Sequence, residues 1–525
     1  MVESPAYGRQ LFGIDLRSLA LVRILLGVFL IFDAATRWTD FAAFYADSGL
    51  VSLQAARDLT PDPGAWSLYW CSASDGYQRA LLIAQGGAGI LLALGCWTRL
   101  SSVLSWVLIA SLWNRNPLVN NYGDTLLRML LFWGMFLPWG ATWSVDWLRR
   151  VRLGQTALQP QVVQSVASAA ILLQLALLYF FTGIWKWNPT WLEGRALADA
   201  LNVEYFARPS ARVLLAYPSL LRPLTQATLF LELAGPLALW IPWQTARIRL
   251  VVMGCFFALH IGIELVLSPV YLSYICLIAW LLFLPSSIWE GRWLSATLGH
   301  WEHALASRLA PEPLPERASP AALGGRCVIG QSPLTNAVCL FFLAYVVVWN
   351  VATLGPQYAR ILPGPFRYIG QAAMLWQTWD MYDVPSRHHG WFSAPTRLRN
   401  GQRVDALWTG RPVDRQHPQP YWDDVPNPRW RVFLFRLSAE RYRRFHPPLA
   451  TFLLARWNTT HQGETAAREL ELCYYHRLPD EAQDPHGFAM RVIATIRAET
   501  SDAESEESPL ARLFQERELG NGALP

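Results

Sequence analysis

Of the 44 basic residues in the chain one is a lysine, Lys186, and the rest are arginines. The distinction is chemical, because an amine can lose its proton in an apolar site whereas a guanidinium in a protein does not. Lys186 stands between Trp185 and Trp187, with Trp191 shortly after, and no charged residue separates it from Arg152. Burial there would make the neutral amine accessible near pH 7, a general base walled by Trp185, Trp187 and Trp191. The plainer reading is a boundary lysine that snorkels its amine to water. Coding bias explains the excess of arginine and points to a GC-rich, bacterial genome, but it leaves the one retained lysine unexplained.

His260 is the only histidine of ten that falls inside a membrane-length apolar stretch, and Glu264 lies four residues on, hence on the same helix face. A carboxylate there could orient the imidazole or hold its proton, as a catalytic pair with Lys186, or the two could simply glue helices together. Two such ligands without a third do not make a metal site, so no metal is predicted. Asp124 and Arg128 repeat the spacing and read as a mutually neutralising pair, with Asn121, Tyr122 and Arg128 as candidate substrate contacts. Arg23 and Asp33 are ten residues apart, about 15 Å along a helix, so each needs a partner elsewhere. Glu232, the one acid of its apolar stretch, is the expected partner of Arg23 or of Lys186 and a further substrate-site candidate.

These residues need a membrane scaffold to hold them. The chain is 525 residues long, 53% hydrophobic and only 16% charged, where about 25% is usual for a soluble protein. A mean hydropathy of +0.18 with 27 Trp, 24 Phe and 18 Tyr points to a lipid bilayer with aromatic rings at its interfaces. The fold class predicted is an all-α polytopic membrane domain of about nine transmembrane helices followed by a smaller β-containing extramembrane domain. The spans begin near residues 16, 80, 100, 125, 163, 224, 250, 270 and 334. The first is no cleavable signal, since it contains Arg23 and lacks a small-residue cleavage site. Arginine placement puts the N-terminus in the cytoplasm of a multi-pass inner-membrane protein, with loops 34–78, 114–123, 187–222 and everything after 355 outside. A net charge of +5 spread over many loops carries no footprint for a nucleic acid.

Residues 299–333, rich in Pro, Ala and Arg, read as a cytoplasmic linker between the 1–298 membrane domain and a last helix at 334–355. An extracytoplasmic domain follows over 356–498. In it Asn400-Gly401 signals a type I′ hairpin, Leu470–Tyr475 and Met490–Ile496 have strand character, and 429–458 suits a helix. Residues 499–525 form an acidic tail expected to be disordered. Topology leaves only Cys71 and Cys473 of seven cysteines facing an oxidising side, so they form either a disulfide or two free external thiols.

The stretch Tyr179-Phe180-Phe181-Thr182-Gly183-Ile184-Trp185-Lys186-Trp187-Asn188-Pro189-Thr190-Trp191-Leu192-Glu193-Gly194 resembles the HTTM (horizontally transferred transmembrane) domain shared with vitamin K-dependent gamma-glutamyl carboxylase. Asn120-Asn121, Trp143-Ser144-Val145-Asp146 and His260 fit the same domain, over roughly residues 10–290. The resemblance implies a lysine base at Lys186 that deprotonates a reduced quinone of the vitamin K hydroquinone type so that it reacts with oxygen. In the carboxylase the strong base so formed takes a proton from the γ-carbon of a peptide glutamate, which then adds carbon dioxide. It also implies a luminal C-terminal portion bridged by a disulfide to an early luminal loop. The chain departs from the carboxylase at Tyr122, where a histidine follows the paired asparagines, and it has no evident propeptide-binding module.

The function expected is therefore a carboxylase-like membrane lyase or oxygenase acting on a lipid-soluble small molecule, with a protein or peptide substrate on the extracytoplasmic side as a further partner. The alternative is a non-catalytic membrane protein, a transporter or a partner subunit of a redox complex. Transport would favour inverted repeats and broken helices, and neither is evident.

Overall fold

A computed structural model describes residues 6–154, 162–203, 205–309, 328–385, 390–407, 410–413, 427–477 and 488–498. The predicted acidic tail lies outside the described residues, as do residues 310–327 of the predicted linker; residues 299–309 end a helix, Arg292–Leu309. The membrane part is helical: α1 (Leu16–Thr39), α2 (Asp75–Leu94), α3 (Thr98–Arg115), α4 (Tyr122–Gly134), α5 (Val166–Trp185), α6 (Pro218–Ala238), α7 (Thr245–Val266), α8 (Leu272–Trp280) and α9 (Pro333–Thr353).

Four of these helices, α1, α5, α7 and α9, are long and apolar enough to cross a bilayer, fewer than the nine predicted. The reason is partly length: α4 has 13 residues, about 20 Å, against a hydrocarbon core of about 30 Å. Polar residues and Pro223 and Pro236 dilute the apolar character of α2, α3 and α6. The spans also differ in what they face. The apolar stretch of α5 is 72% buried, whereas those of α7 and α9 are 22% buried and turn most of their surface outward.

Side chains of the uncharged α5, among them Ile171, Leu172, Leu175 and Leu178, lie at the centre of the larger core. Lipid is as apolar as leucine, so close packing rather than water exclusion holds such helices together. Glycine supplies that closeness between α1 and α2: a Cβ on Gly27 would lie 2.5 Å from Ala93 N, and one on Gly89 2.9 Å from Gly27 O. Polar capping sets the helix starts. Ser165 and Ser168 form a reciprocal cap on α5, and Asn121 and Asp124 do the same on α4.

Beyond α9 come α10 (Gly364–Ala372) and a strap, residues 374–383, that returns to the membrane core and buries Leu375, Trp379 and Met381 in it. Gln377 locks the strap, accepting from Gln174 at 2.7 Å and from Trp379 at 2.9 Å, while its carbonyl accepts from Trp349. The C-terminal sheet has strands β1 (Gly390–Ser393), β2 (Pro395–Leu398), β3 (Arg403–Asp405), β4 (Arg411–Pro412), β5 (Ala467–Arg477) and β6 (Phe488–Arg497), all antiparallel. Strand β5 is its spine, flanked by β6 on one edge and by β1 and β2 on the other.

Two local expectations are corrected. The β2–β3 turn is no type I′, which needs positive φ at both central residues. Only Gly401 has it (φ +85°), and its N–H donates to Leu398 O, as in a turn closed by a glycine bulge. The predicted helix over 429–458 is two, α11 (Pro428–Leu437) and α12 (His446–Thr460), because Pro447 and Pro448 fit only a first turn. Loop 41–58, Leu118, Val119 and Tyr205 share a second core with the C-terminal sheet, so these segments meet on one face of the molecule.

Candidate functional site

Lys186 caps the end of α5 and is only 4% exposed. Its Nζ donates to both carboxylate oxygens of Glu232 on α6, at 2.6 and 2.7 Å, and lies 4.7 Å from the centre of the Trp191 ring. Gly183, one turn earlier, makes the pairing possible. A Cβ there would lie 2.8 Å from the side chain of Leu233, the neighbour of Glu232, and 3.2 Å from its backbone N, so glycine lets α6 approach this closely without displacing that side chain. The rest of the motif serves the same geometry. Asn188 caps a short turn, Pro189–Leu192, that carries Trp191, and the positive φ of Gly194 (+80°) turns the chain back under Arg222. Of the two expected partners of Glu232, Lys186 is the one that meets it. Arg23 instead donates to the carbonyls of Trp139 and Trp143.

Tyr179 stands two turns before Lys186 on the same face of α5. Its hydroxyl is 2.6 Å from His260 Nε2 on α7 and accepts from Trp280 Nε1 on α8 at 3.0 Å. His260 is buried, and its Nδ1 has no partner among the described residues. The spacing of seven residues is the signal that could have picked out Tyr179; Trp280 on α8 had no such marker. The strap covers the group from the C-terminal side: Tyr382 O accepts from Trp191 Nε1 at 2.8 Å, and Asp383 O accepts from Asn188 at 2.9 Å.

Several predicted site residues lie elsewhere. Glu264 does not meet His260; it pairs at 3.0 Å with Arg208, which residues 205–210 bring to the end of α7. Trp187 is 63% exposed and walls nothing, and Trp185 is half-buried with no ring contact to the amine, leaving Trp191 as the wall. Asn121 is spent on capping α4, and Tyr122 donates to Asp380 on the strap at 2.8 Å. Cys71 is exposed and Cys473 is buried in the middle of β5, both as free thiols, so the expected bridge is not formed.

The Asp124–Arg128 pair is not formed either. Asp124 is taken by Arg37 at 3.0 Å and by Arg429 at 2.9 Å. These arginines also hold Asp33, at 2.7 and 2.6 Å, so two aspartates and two arginines from α1, α4 and α11 make one buried network. Reading the sequence missed Arg37 and Arg429, since nothing in the spacing of α11 says that it enters the membrane part. Arg128 turns the other way and donates to Trp376 O.

The HTTM domain family model matches residues 13–289, more than half of the chain, and the protein belongs to that family. The matched region contains Tyr179, Lys186, Trp191, Glu232, His260 and Trp280, while the strap lies beyond it. No curated protein and no solved structure matches the chain.

Proposed function

We propose that this HTTM membrane protein is an enzyme acting on a lipid-soluble hydroquinone-type substrate, with the Lys186–Glu232 pair as proton acceptor. The observation that carries the reading is the burial of the only lysine of the chain, bound by both oxygens of one carboxylate and faced by an indole. A proton taken up by this pair changes its net charge from zero to plus one, and the Trp191 ring face stabilises the cation that results. The Tyr179–His260 pair orients the substrate hydroxyl; the partnerless His260 Nδ1 fits such a ligand. When bound, the hydroquinone supplies reducing equivalents and, once deprotonated, the reactivity toward oxygen used by the carboxylase that the chain resembles. In this reading the N-terminus is cytoplasmic and the C-terminal sheet extracytoplasmic. Tyr122, standing where the carboxylase has histidine, is engaged with Asp380, so the proposal stops short of glutamate carboxylation.

The test is hydroquinone consumption by the full-length protein in nanodiscs supplied with oxygen and carbon dioxide. Glu232→Gln removes the carboxylate on which a proton taken up by the pair comes to rest, and it is expected to slow turnover at least about 100-fold. Unchanged turnover would overturn the proposal. A partner-subunit role would then be the better reading, supported by the exposed Ile361, Phe366 and Tyr368 in and beside α10.

A further inference from the structure

Arg128 is 0% exposed, and among the described residues no carboxylate pairs with it. Its protein hydrogen bond runs from Nη2 to Trp376 O at 2.7 Å, while Nε and Nη1 are buried without an acceptor. Trp113 and Trp376 flank the guanidinium, each with its ring centre 4.7 Å from Cζ and their planes 80° apart. The Trp376 Nε1–H is likewise buried without an acceptor. Among the described residues, other fully buried arginines keep one orphan nitrogen at most: Arg23 and Arg429 each lack a partner only at Nε, and Arg23 donates to the carbonyls of Trp139 and Trp143. Arg37 and Arg429 have Asp33 and Asp124, and Arg115 donates to Gln78 and to the carbonyls of Tyr45, Ala46 and Val51. Indole faces offset part of the cost of burying a cation, but they accept none of its in-plane N–H bonds. An uncompensated guanidinium in such a place is costly, and an anionic ligand removes the cost.

We propose that Arg128 and the Trp376 Nε1–H bind the carboxylate group of a small organic acid. One positive charge, in-plane donors and apolar indole walls suit a planar monoanion; a phosphate dianion would call for more charge and more donors. Trp376 belongs to the strap whose Tyr382 carbonyl holds Trp191 beside Lys186, so a single segment serves both places. The binding stands apart from the hydroquinone reading, and only a role for the acid as co-substrate rests on that reading.

The probe is sodium acetate, titrated against sodium chloride at constant ionic strength into the full-length protein in nanodiscs, with the thermal unfolding midpoint as readout. A saturable rise with acetate is expected for the wild type, as for any ligand that binds only the folded state. Arg128→Gln is expected to abolish it. No saturable rise in the wild type, or one that persists in Arg128→Gln, overturns the proposal. Should that variant not fold, Trp376→Phe keeps the backbone acceptor and removes the indole donor; acetate affinity should fall about tenfold, and unchanged affinity overturns the proposal. Inorganic phosphate stabilising as strongly as acetate would overturn the carboxylate assignment. Glu232→Gln is expected to keep the acetate response even where hydroquinone turnover is lost, so the two readings fail separately.

Discussion

The protein buries two groups of charges and treats them differently. In the Asp33–Arg37–Asp124–Arg429 network two negative and two positive groups balance, and all four carboxylate oxygens are hydrogen-bonded, with Gln85, Asn121 and Tyr45 completing the set. Around Lys186 one pair balances, but a histidine nitrogen is left open beside it and aromatic rings replace further counter-charges. With all its carboxylate oxygens engaged the network fixes the C-terminal part onto the helices, although Arg429 Nε and Gln85 Oε1 are buried without a partner among the described residues. A cluster built on a single ion pair beside a titratable imidazole with an open nitrogen retains the capacity to bind and to move a proton.

The comparison can be broken most severely at Arg429. Arg429→Ala leaves Asp33 and Asp124 short of a buried counter-charge and should cost about 3–5 kcal/mol, read as a fall in thermal unfolding midpoint or a loss of folded protein. At the other site Lys186→Met alone strands Glu232 and should cost about 3 kcal/mol. The double variant Lys186→Met with Glu232→Leu should recover most of that stability while hydroquinone turnover stays absent. A double variant as unstable as the single would mean that the pair is structural glue like the network.

Smaller effects sharpen the contrast. Gly183→Ala pushes α6 away from α5 and should cost about 1–3 kcal/mol, with turnover falling more than stability because the Lys186–Glu232 contact is displaced. The weakest effect is expected at Asp146, on the basic helix after α4. Burial disfavours its charge, but hydrogen bonds from Thr98 and Trp97 and the charge of Arg149 outweigh that and hold its carboxyl below the usual range. A lowered folded value means that this contribution is present above about pH 4 and is lost as the pH falls through the folded value. Asp146→Asn should therefore lower stability by about 0.5–1 kcal/mol at pH 7, with the two proteins converging below about pH 4 in thermal scans.

Much of the candidate site was legible before any coordinates, because a lone lysine, its indoles and the Gly-x-x-Lys spacing are local features. Scarcity of charge narrowed the partner of Glu232 to Arg23 or Lys186, and the structure chose Lys186. The i,i+4 pairs failed for a shared reason: spacing along a helix shows that two side chains could meet, not whether a stronger partner arrives from elsewhere. Arg208 outbid His260 for Glu264, and Arg37 and Arg429 outbid Arg128 for Asp124.

Sequence by itself determined that the chain is a membrane protein, where its apolar helices lie, that a β-containing region follows, and that Lys186 is chemically singular, since each of these depends on composition or on neighbours along the chain. Only the tertiary structure decided that Lys186 is sealed rather than snorkelling, that Tyr179 joins His260, that the 374–383 strap returns over the site, and that Arg128 is left without a carboxylate partner among the described residues. Those outcomes depend on contacts between residues hundreds of positions apart, where the energy of burying a charge is settled by whichever partner the packing delivers.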